Sequence, residues 1–98
     1  MTRKSIKIHG DKWGIRYVAP RSKFLDKGKS SAVTEFDKHI IYMAKELCQD
    51  RHDFVLYHEL CHILLDHTGL SNKVRSDTED AICDAFAAFI KEYFSLKG

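Results

Sequence analysis

The sequence predicts an α+β fold in which a small, mostly antiparallel sheet comes first and packs on two helices. Two runs near the N-terminus, SIKIHG and WGIRYVA, alternate apolar and polar residues at the period of two that is typical of half-buried strands. From about residue 53 the apolar residues recur at the helical period instead. Ninety-eight residues suffice for one modest core, so we expect a single domain over residues 1–98.

The strand-forming residues fall into two predicted hairpins. The first joins the two N-terminal runs through the glycine-containing stretch HGDKWG. The second covers residues 32–43, where the β-favouring runs AVTEF and HIIYM flank a turn at Asp37 and Lys38. Residues 19–31 lie between the hairpins and are rich in Pro, Gly, Ser and Lys, which predicts an irregular connection.

Two helices are predicted in the second half of the chain. The first covers about residues 53–68, with Asp53 as its N-cap and Gly69 as the residue that ends it. The second covers about residues 77–95, and Ser76 and Glu79 before and within it have the spacing of a capping box.

Charge is distributed unevenly along the chain. Residues 1–30 carry nine Lys and Arg against two Asp, whereas residues 31–98 carry seven against twelve acids. A basic segment that contains Trp13, Tyr17 and Phe24 can form a surface for nucleic acid or for an acidic partner. Because the net charge is only +2, we interpret this segment as a solvated strand face and disfavour nucleic acid as the partner.

The compartment follows from the hydropathy pattern and the cysteines. No apolar run approaches the roughly 18 residues that span a bilayer, and the N-terminus MTRKSIKIHG lacks the apolar core of a secretory signal. The three cysteines are odd in number and show no CxxC pairing, which argues against a disulfide framework. We therefore expect a cytoplasmic protein with reduced thiols and no membrane partner.

The stretch YHELCHILLDH, residues 57–67, contains the candidate chemistry. His62 follows His58 by four positions, so on a helix the two imidazoles project from the same side and can bind one metal ion. Zinc would lower the pKa of a water molecule bound to it to about 7. Glu59 is placed to take the proton of that water and to return it to the leaving amine of a peptide. The stretch predicts zinc-dependent hydrolysis.

A catalytic zinc site needs a third protein ligand, and the helix at residues 77–95 begins with several acids. Helical phase aligns Glu79 with the apolar stripe that should face the core, which favours Glu79 as the ligand. The capping box instead assigns Glu79 to a backbone N–H, which leaves Asp80 as the ligand and Asp84 as a hydrogen-bond partner for a histidine. The sequence leaves the choice between Glu79 and Asp80 open.

The segments LYHELCHILLDHTGL and EDAICDAFAAFI together resemble the small bacterial and phage zinc metallopeptidases of the ImmA/IrrE type, within the wider HExxH zincins. The resemblance covers about residues 30–95 and implies a minimal zincin-like core at residues 31–98, after a basic strand and loop segment at residues 1–30. Aligned on CDAFAA, the glutamate that serves as the family's third ligand falls on Asp80.

The same resemblance implies an activity and a substrate. The activity would be zinc-dependent endopeptidase cleavage by a minimal, phage-derived member of the family. The substrate would be a regulatory protein such as a repressor. Its peptide would add as an extended strand along the sheet edge near residues 32–43.

Two other classes of function stay open. A catalytically inactive binding protein would keep zinc for structure or interaction, which the small size of the chain allows. A nucleic-acid or partner-binding module would use the basic segment at residues 3–29. The helical flanks of HELCH, the acid-bearing helix after it and the hairpin before it favour a metal site over a chance occurrence of the motif on an ordinary amphipathic helix.

Overall fold

The computed structural model describes residues 3–8 and 10–93, and in them four strands precede two helices. The strands are β1 (Arg3–Ile8), β2 (Asp11–Val18), β3 (Ala32–Glu35) and β4 (Ile40–Ala44). The helices are α1 (Gln49–His67) and α2 (Ser76–Tyr93), and short 3-10 segments occur at Lys23–Gly28 and Leu70–Asn72. The α+β prediction is confirmed. Residue contacts divide the chain into two compact units, Met1–Cys48 and Gln49–Gly98, and the single domain stays a prediction.

The strands form one mixed sheet in the order β1-β2-β4-β3. Both predicted hairpins are confirmed, because β1 pairs with β2 and β3 pairs with β4 in antiparallel register. The third pairing, between β2 and β4, is parallel. It arises because the chain crosses after β2 to the far edge of the sheet, forms β3 there, and returns as β4 between the two.

The two faces of the sheet are both partly buried. One face carries Trp13, Ile15, Ile41 and Met43, which are almost inaccessible to solvent. The other face, here called the Leu25 face, carries a buried cluster made by Val18, Tyr42 and Ala44 together with Leu25 of the first 3-10 segment. Residues 19–31 are therefore not merely the irregular connection that their composition predicts, since they supply part of the core.

Local hydrogen bonds fold the segment that delivers Leu25. The Ser22 hydroxyl accepts a hydrogen bond from the backbone N–H of Phe24 at 3.0 Å, and the Leu25 N–H donates to the Ser22 carbonyl. Asp26 and Lys27 then take positive φ angles of 55° and 56°, which reverse the chain after one turn. In the sequence, the adjacent apolar pair Phe24 and Leu25 is the feature that indicates a packed segment within this connection.

Truncation of Leu25 should destabilise the protein strongly, because its side chain is 0 % exposed. We expect Leu25→Ala to lower the free energy of unfolding by about 2–5 kcal/mol, from lost apolar burial and the cavity left behind. Leu70→Ala is the matched control, since Leu70 is 47 % exposed, and it should change stability by roughly 0.5 kcal/mol. Urea unfolding of both variants measures this, and equal losses would contradict the packing described.

Helix α1 begins four residues earlier than predicted. Asp53 is not its N-cap, because Gln49 already lies in the helix and its Nε2 donates to Asp53 Oδ1 at 2.7 Å. Asp50 lies in the first turn, where a negative charge is favourable to the helix dipole. The predicted end is confirmed: Gly69 has φ +81°, which glycine adopts without strain, and its N–H donates to the Asp66 carbonyl.

Helix α2 starts without the predicted capping box. The backbone N–H of Glu79 donates to the Arg75 carbonyl at 2.8 Å, so Ser76 is already helical and its side chain is not the cap. The side chain of Glu79 is used elsewhere, as described below. Within the described residues α2 extends to Tyr93. The predicted continuation to residue 95 lies outside them.

Helices α1 and α2 pack against each other within the second unit. Cys61 of α1 and Cys83 of α2 are buried, and their thiols share a hydrogen bond. Burial is the main cause that raises the pKa of both thiols, so both are held protonated in the helix pair. Over the stretches 3–8 and 10–93, neither helix combines the length and the apolar character needed to cross a membrane.

Candidate metal centre

Three side chains from the two helices meet at one point. His58 and His62 lie one turn apart on α1, and their Nε2 atoms are 3.0 Å apart. Asp80, in the second turn of α2, places Oδ1 3.1 Å from His62 Nε2 and 3.5 Å from His58 Nε2. Two imidazole nitrogens and one carboxylate oxygen therefore form a nearly equilateral triangle, and they are the group of potential metal ligands found among the described residues.

The dimensions of this triangle suit a small transition-metal ion. Zinc binds nitrogen and oxygen at about 2.0–2.2 Å in tetrahedral geometry, which separates neighbouring ligand atoms by about 3.3 Å. The three observed separations lie between 3.0 and 3.5 Å. Two imidazoles and one carboxylate are also a donor set typical of catalytic zinc sites, in which a fourth position stays open to water or substrate. The residues present fit a zinc ion.

The other nitrogen of each imidazole contacts a second carboxylate. His58 Nδ1 lies 2.8 Å from Asp84 Oδ1, and His62 Nδ1 lies 2.5 Å from Glu79 Oε2. An ionised carboxylate only accepts hydrogen bonds, so each Nδ1–H is the donor. In a neutral imidazole this leaves the Nε2 lone pair directed at the triangle, which is the tautomer that a metal ligand requires.

The electrostatics of this arrangement favour a cation. Two lone pairs and a carboxylate oxygen within 3.5 Å of one another repel unless a positive charge lies between them. Glu79 and Asp84 add negative charge behind the two rings. A metal ion, or protons on the histidines, would relieve the repulsion, and only a metal ion would use all three donors at once.

Glu79 and Asp80 are adjacent in sequence but occupy different environments. The Glu79 side chain is 14 % exposed and the Asp80 side chain 65 % exposed. Burial alone would raise the pKa of Glu79, but hydrogen bonds from His62 and Ser71 outweigh it and hold that pKa below its ordinary value. Glu79 therefore stays ionised beneath the ring of His62, while Asp80 reaches the Nε2 atoms. The structure brings Asp80 Oδ1, and not a carboxylate oxygen of Glu79, together with the two Nε2 atoms.

The remaining candidates are placed as follows. Glu59 is partly buried next to His58 on α1 and lies outside the donor triangle. Asp84 contacts a histidine, which the sequence had raised as one alternative. Ser71, which bonds to Glu79 from the loop between the helices, was not anticipated from the sequence, because no motif or periodicity marks it.

Comparison with known proteins gives one match. No curated protein and no solved structure matches the chain significantly. The family model described as the IrrE N-terminal-like domain, of peptidase family M78, matches residues 12–92. That range contains most of the sheet, the HELCH stretch and the three acids of α2 that contact its histidines. The match indicates a metallopeptidase-type function with a metal cofactor and a protein or peptide substrate. The chain belongs to the M78 peptidase family of IrrE N-terminal-like domains.

Proposed function

We propose that the protein is a zinc-dependent endopeptidase in which His58, His62 and Asp80 bind the metal and Glu59 is the general base. One observation carries the assignment of ligands. The two Nε2 atoms and Asp80 Oδ1 converge, while each Nδ1 is held by a carboxylate that lies outside the triangle. Imidazole with carboxylate suits zinc among the common metals, whereas magnesium and calcium prefer all-oxygen sites.

The mechanism divides the work among four side chains. Zinc, when bound, would supply Lewis acidity for the scissile carbonyl and for the attacking water. Glu59 would take a proton from that water and deliver it to the leaving amine. Asp84 and Glu79, by accepting the Nδ1–H groups, would fix the two rings and increase the basicity of Nε2.

The substrate we propose is an extended peptide, and the family resemblance suggests that a regulatory protein supplies it. An extended peptide can add to a sheet edge through backbone hydrogen bonds. Of the segment at residues 32–43, only the β3 part lies at an edge, because β4 is enclosed between β2 and β3. This narrows the proposed docking strand to Ala32–Glu35.

Zinc loading of the metal-free protein tests the proposal. We expect one zinc per chain and a higher unfolding temperature, since a ligand at about 100 times its Kd stabilises the fold by about 2.7 kcal/mol. His62→Ala should bind no zinc at the site. His67→Ala is the matched control, because His67 is an exposed residue at the end of the same helix, and it should bind as the wild type does.

Peptide cleavage gives the second readout. A chelator should abolish hydrolysis of a peptide library, and zinc should restore it. Zinc uptake that is the same in His62→Ala and His67→Ala would contradict the ligand assignment. Specific zinc uptake without any cleavage would contradict the proposed enzyme activity and would favour a zinc-containing binding protein.

A further inference from the structure

A cationic groove lies on the Leu25 face of the sheet, in the unit Met1–Cys48. It encloses about 280 Å³. Lys12 and Arg16 of β2 and Lys38 of the β3–β4 turn line it, with Ser5 and Gly14 among the other lining residues. None of the lining residues, all of which belong to the described part of the chain, is acidic. The groove is open to solvent, so a ligand could extend beyond it.

The charge of this unit is larger than the charge of the whole chain suggests. Residues 1–48 contain eleven Lys and Arg against five Asp and Glu, a net charge of +6, whereas residues 49–98 carry −4. The two values nearly cancel in the total of +2. The small net charge is therefore no argument against a polyanionic partner for the sheet, since local potential governs such binding.

The floor of the groove is low because two small residues face each other there. Gly14 pairs with Ser5 in the antiparallel register of β1 and β2. A Cβ placed at Gly14 would meet only the Lys4 carbonyl oxygen, at 4.0 Å, so the space above it is open. Lys12 and Arg16 lie two residues before and after Gly14, and alternation places them on the same face as the open floor. The long cationic side chains of Lys12 and Arg16 therefore flank a stretch of backbone that no large side chain covers, and a phosphate group can fit there.

An exposed aromatic ring adjoins the groove. Phe24 is 36 % exposed and stacks on Tyr42 with ring centroids 4.5 Å apart and planes 11° apart. Arg16 Cζ lies 5.8 Å from the Phe24 ring centre and 5.6 Å from that of Tyr42, so the same guanidinium borders both ring and groove. Lys23 Nζ lies 5.6 Å from the Phe24 ring. Proteins that bind single-stranded nucleic acids combine cations, which contact the phosphates, with exposed aromatic rings, on which the bases stack.

We propose that the Leu25 face binds single-stranded nucleic acid, with backbone phosphates at Lys12, Arg16 and Lys38 and a base on Phe24. A duplex fits less well, because its bases are stacked on one another and offer no face to Phe24. Glu35 opposes Ile40 on the same face and is an acid whose charge should weaken binding. This site is independent of the proposed peptidase activity and of zinc.

Fluorescence anisotropy of a labelled oligothymidine with the full-length protein tests the site. Binding should weaken steeply with salt. Lys12→Gln/Lys38→Gln should reduce the slope of log K against log salt by about 1.4, since each phosphate contact on a single strand contributes about 0.7. Lys73→Gln/Arg75→Gln removes the same charge from exposed positions of the other unit and should leave the slope unchanged.

Two variants of Phe24 test the stacking. Phe24→Leu should weaken binding roughly tenfold or more without a change in salt slope, and Phe24→Tyr should bind as the wild type does. Glu35→Gln should tighten binding. The proposal is overturned by absence of binding at low salt, by equal losses in the two double-charge variants, or by a duplex that competes as well as the single strand. Equal affinity of Phe24→Leu and Phe24→Tyr would also overturn it, and thermal unfolding checks that both are folded.

Discussion

Replacement of Glu59 by glutamine should lower peptide hydrolysis by about 10²- to 10⁴-fold and leave zinc binding intact. The amide keeps the size of the side chain but cannot accept a proton at neutral pH. Glu59 lies next to His58 on α1 and outside the triangle formed by His58, His62 and Asp80. The loss should therefore fall on kcat rather than on the metal, because the zinc ligands are unchanged.

Steady-state kinetics and the zinc content of the same preparation measure this. Asp66→Asn is the matched control, since it is the same carboxylate-to-amide change at an exposed position of α1, and it should retain full activity. If Glu59→Gln keeps wild-type activity, another group is the base. If Glu59→Gln loses zinc together with activity, Glu59 contributes to metal binding, and both the assignment of the base and the assignment of the ligands are wrong.

The parts of the fold that could be predicted are those fixed by local pattern. Alternation of apolar residues identified both hairpins, and Gly69 marked the end of α1 because the left-handed conformation there favours glycine. The start of α1 was misplaced at Asp53, since an acid near a helix start can serve as a cap or as an ordinary residue of the first turns. Inside the helix, Asp53 accepts a hydrogen bond from the Gln49 side chain. The residue preferences of N-caps do not predict such a contact.

The parts that could not be predicted depend on contacts between distant residues. The parallel pairing of β2 with β4 is set by where the chain returns, and no local pattern encodes it. Leu25 lies in a segment whose composition is that of a loop. It is nevertheless buried, because it packs on the apolar side chains of the Leu25 face of the sheet. Tertiary packing decided both features.

Both local arguments about Glu79 and Asp80 concern the direction of the Glu79 side chain, which the structure shows. Helical phase correctly placed Glu79 on the inner side of α2, but an inward position led it to the far side of the His62 ring and not to the Nε2 atoms. The capping box was wrong, since the side chain of Glu79 contacts His62 and not the backbone of Ser76. Asp80 is one residue later, about 100° around the helix, and this rotation carries it to the open side of the two rings.

Substitution of the three acids of α2 that contact the histidines should therefore rank them in zinc affinity. Asp80→Ala removes an oxygen that lies 3.1 Å from His62 Nε2 and should weaken zinc binding most. Glu79→Gln and Asp84→Asn remove the acceptors of the two Nδ1–H groups and should each weaken binding by about 10- to 100-fold, the usual effect of such outer partners. Loss of Asp80 should exceed that range. Competition with a chromophoric chelator measures all three dissociation constants under one set of conditions.

Two further variants make the ranking decisive. Asp77→Asn removes an acid of the first turn of α2 that pairs with Arg75 and lies outside the site, and it should leave zinc affinity unchanged. Asp80→Glu keeps a carboxylate at the position where the resemblance expects glutamate, and it should retain most of the affinity that Asp80→Ala loses. A larger loss in Glu79→Gln than in Asp80→Ala would make Glu79 the third ligand. That result would require the His62 ring to turn over, because its Nδ1 and not its Nε2 now faces Glu79.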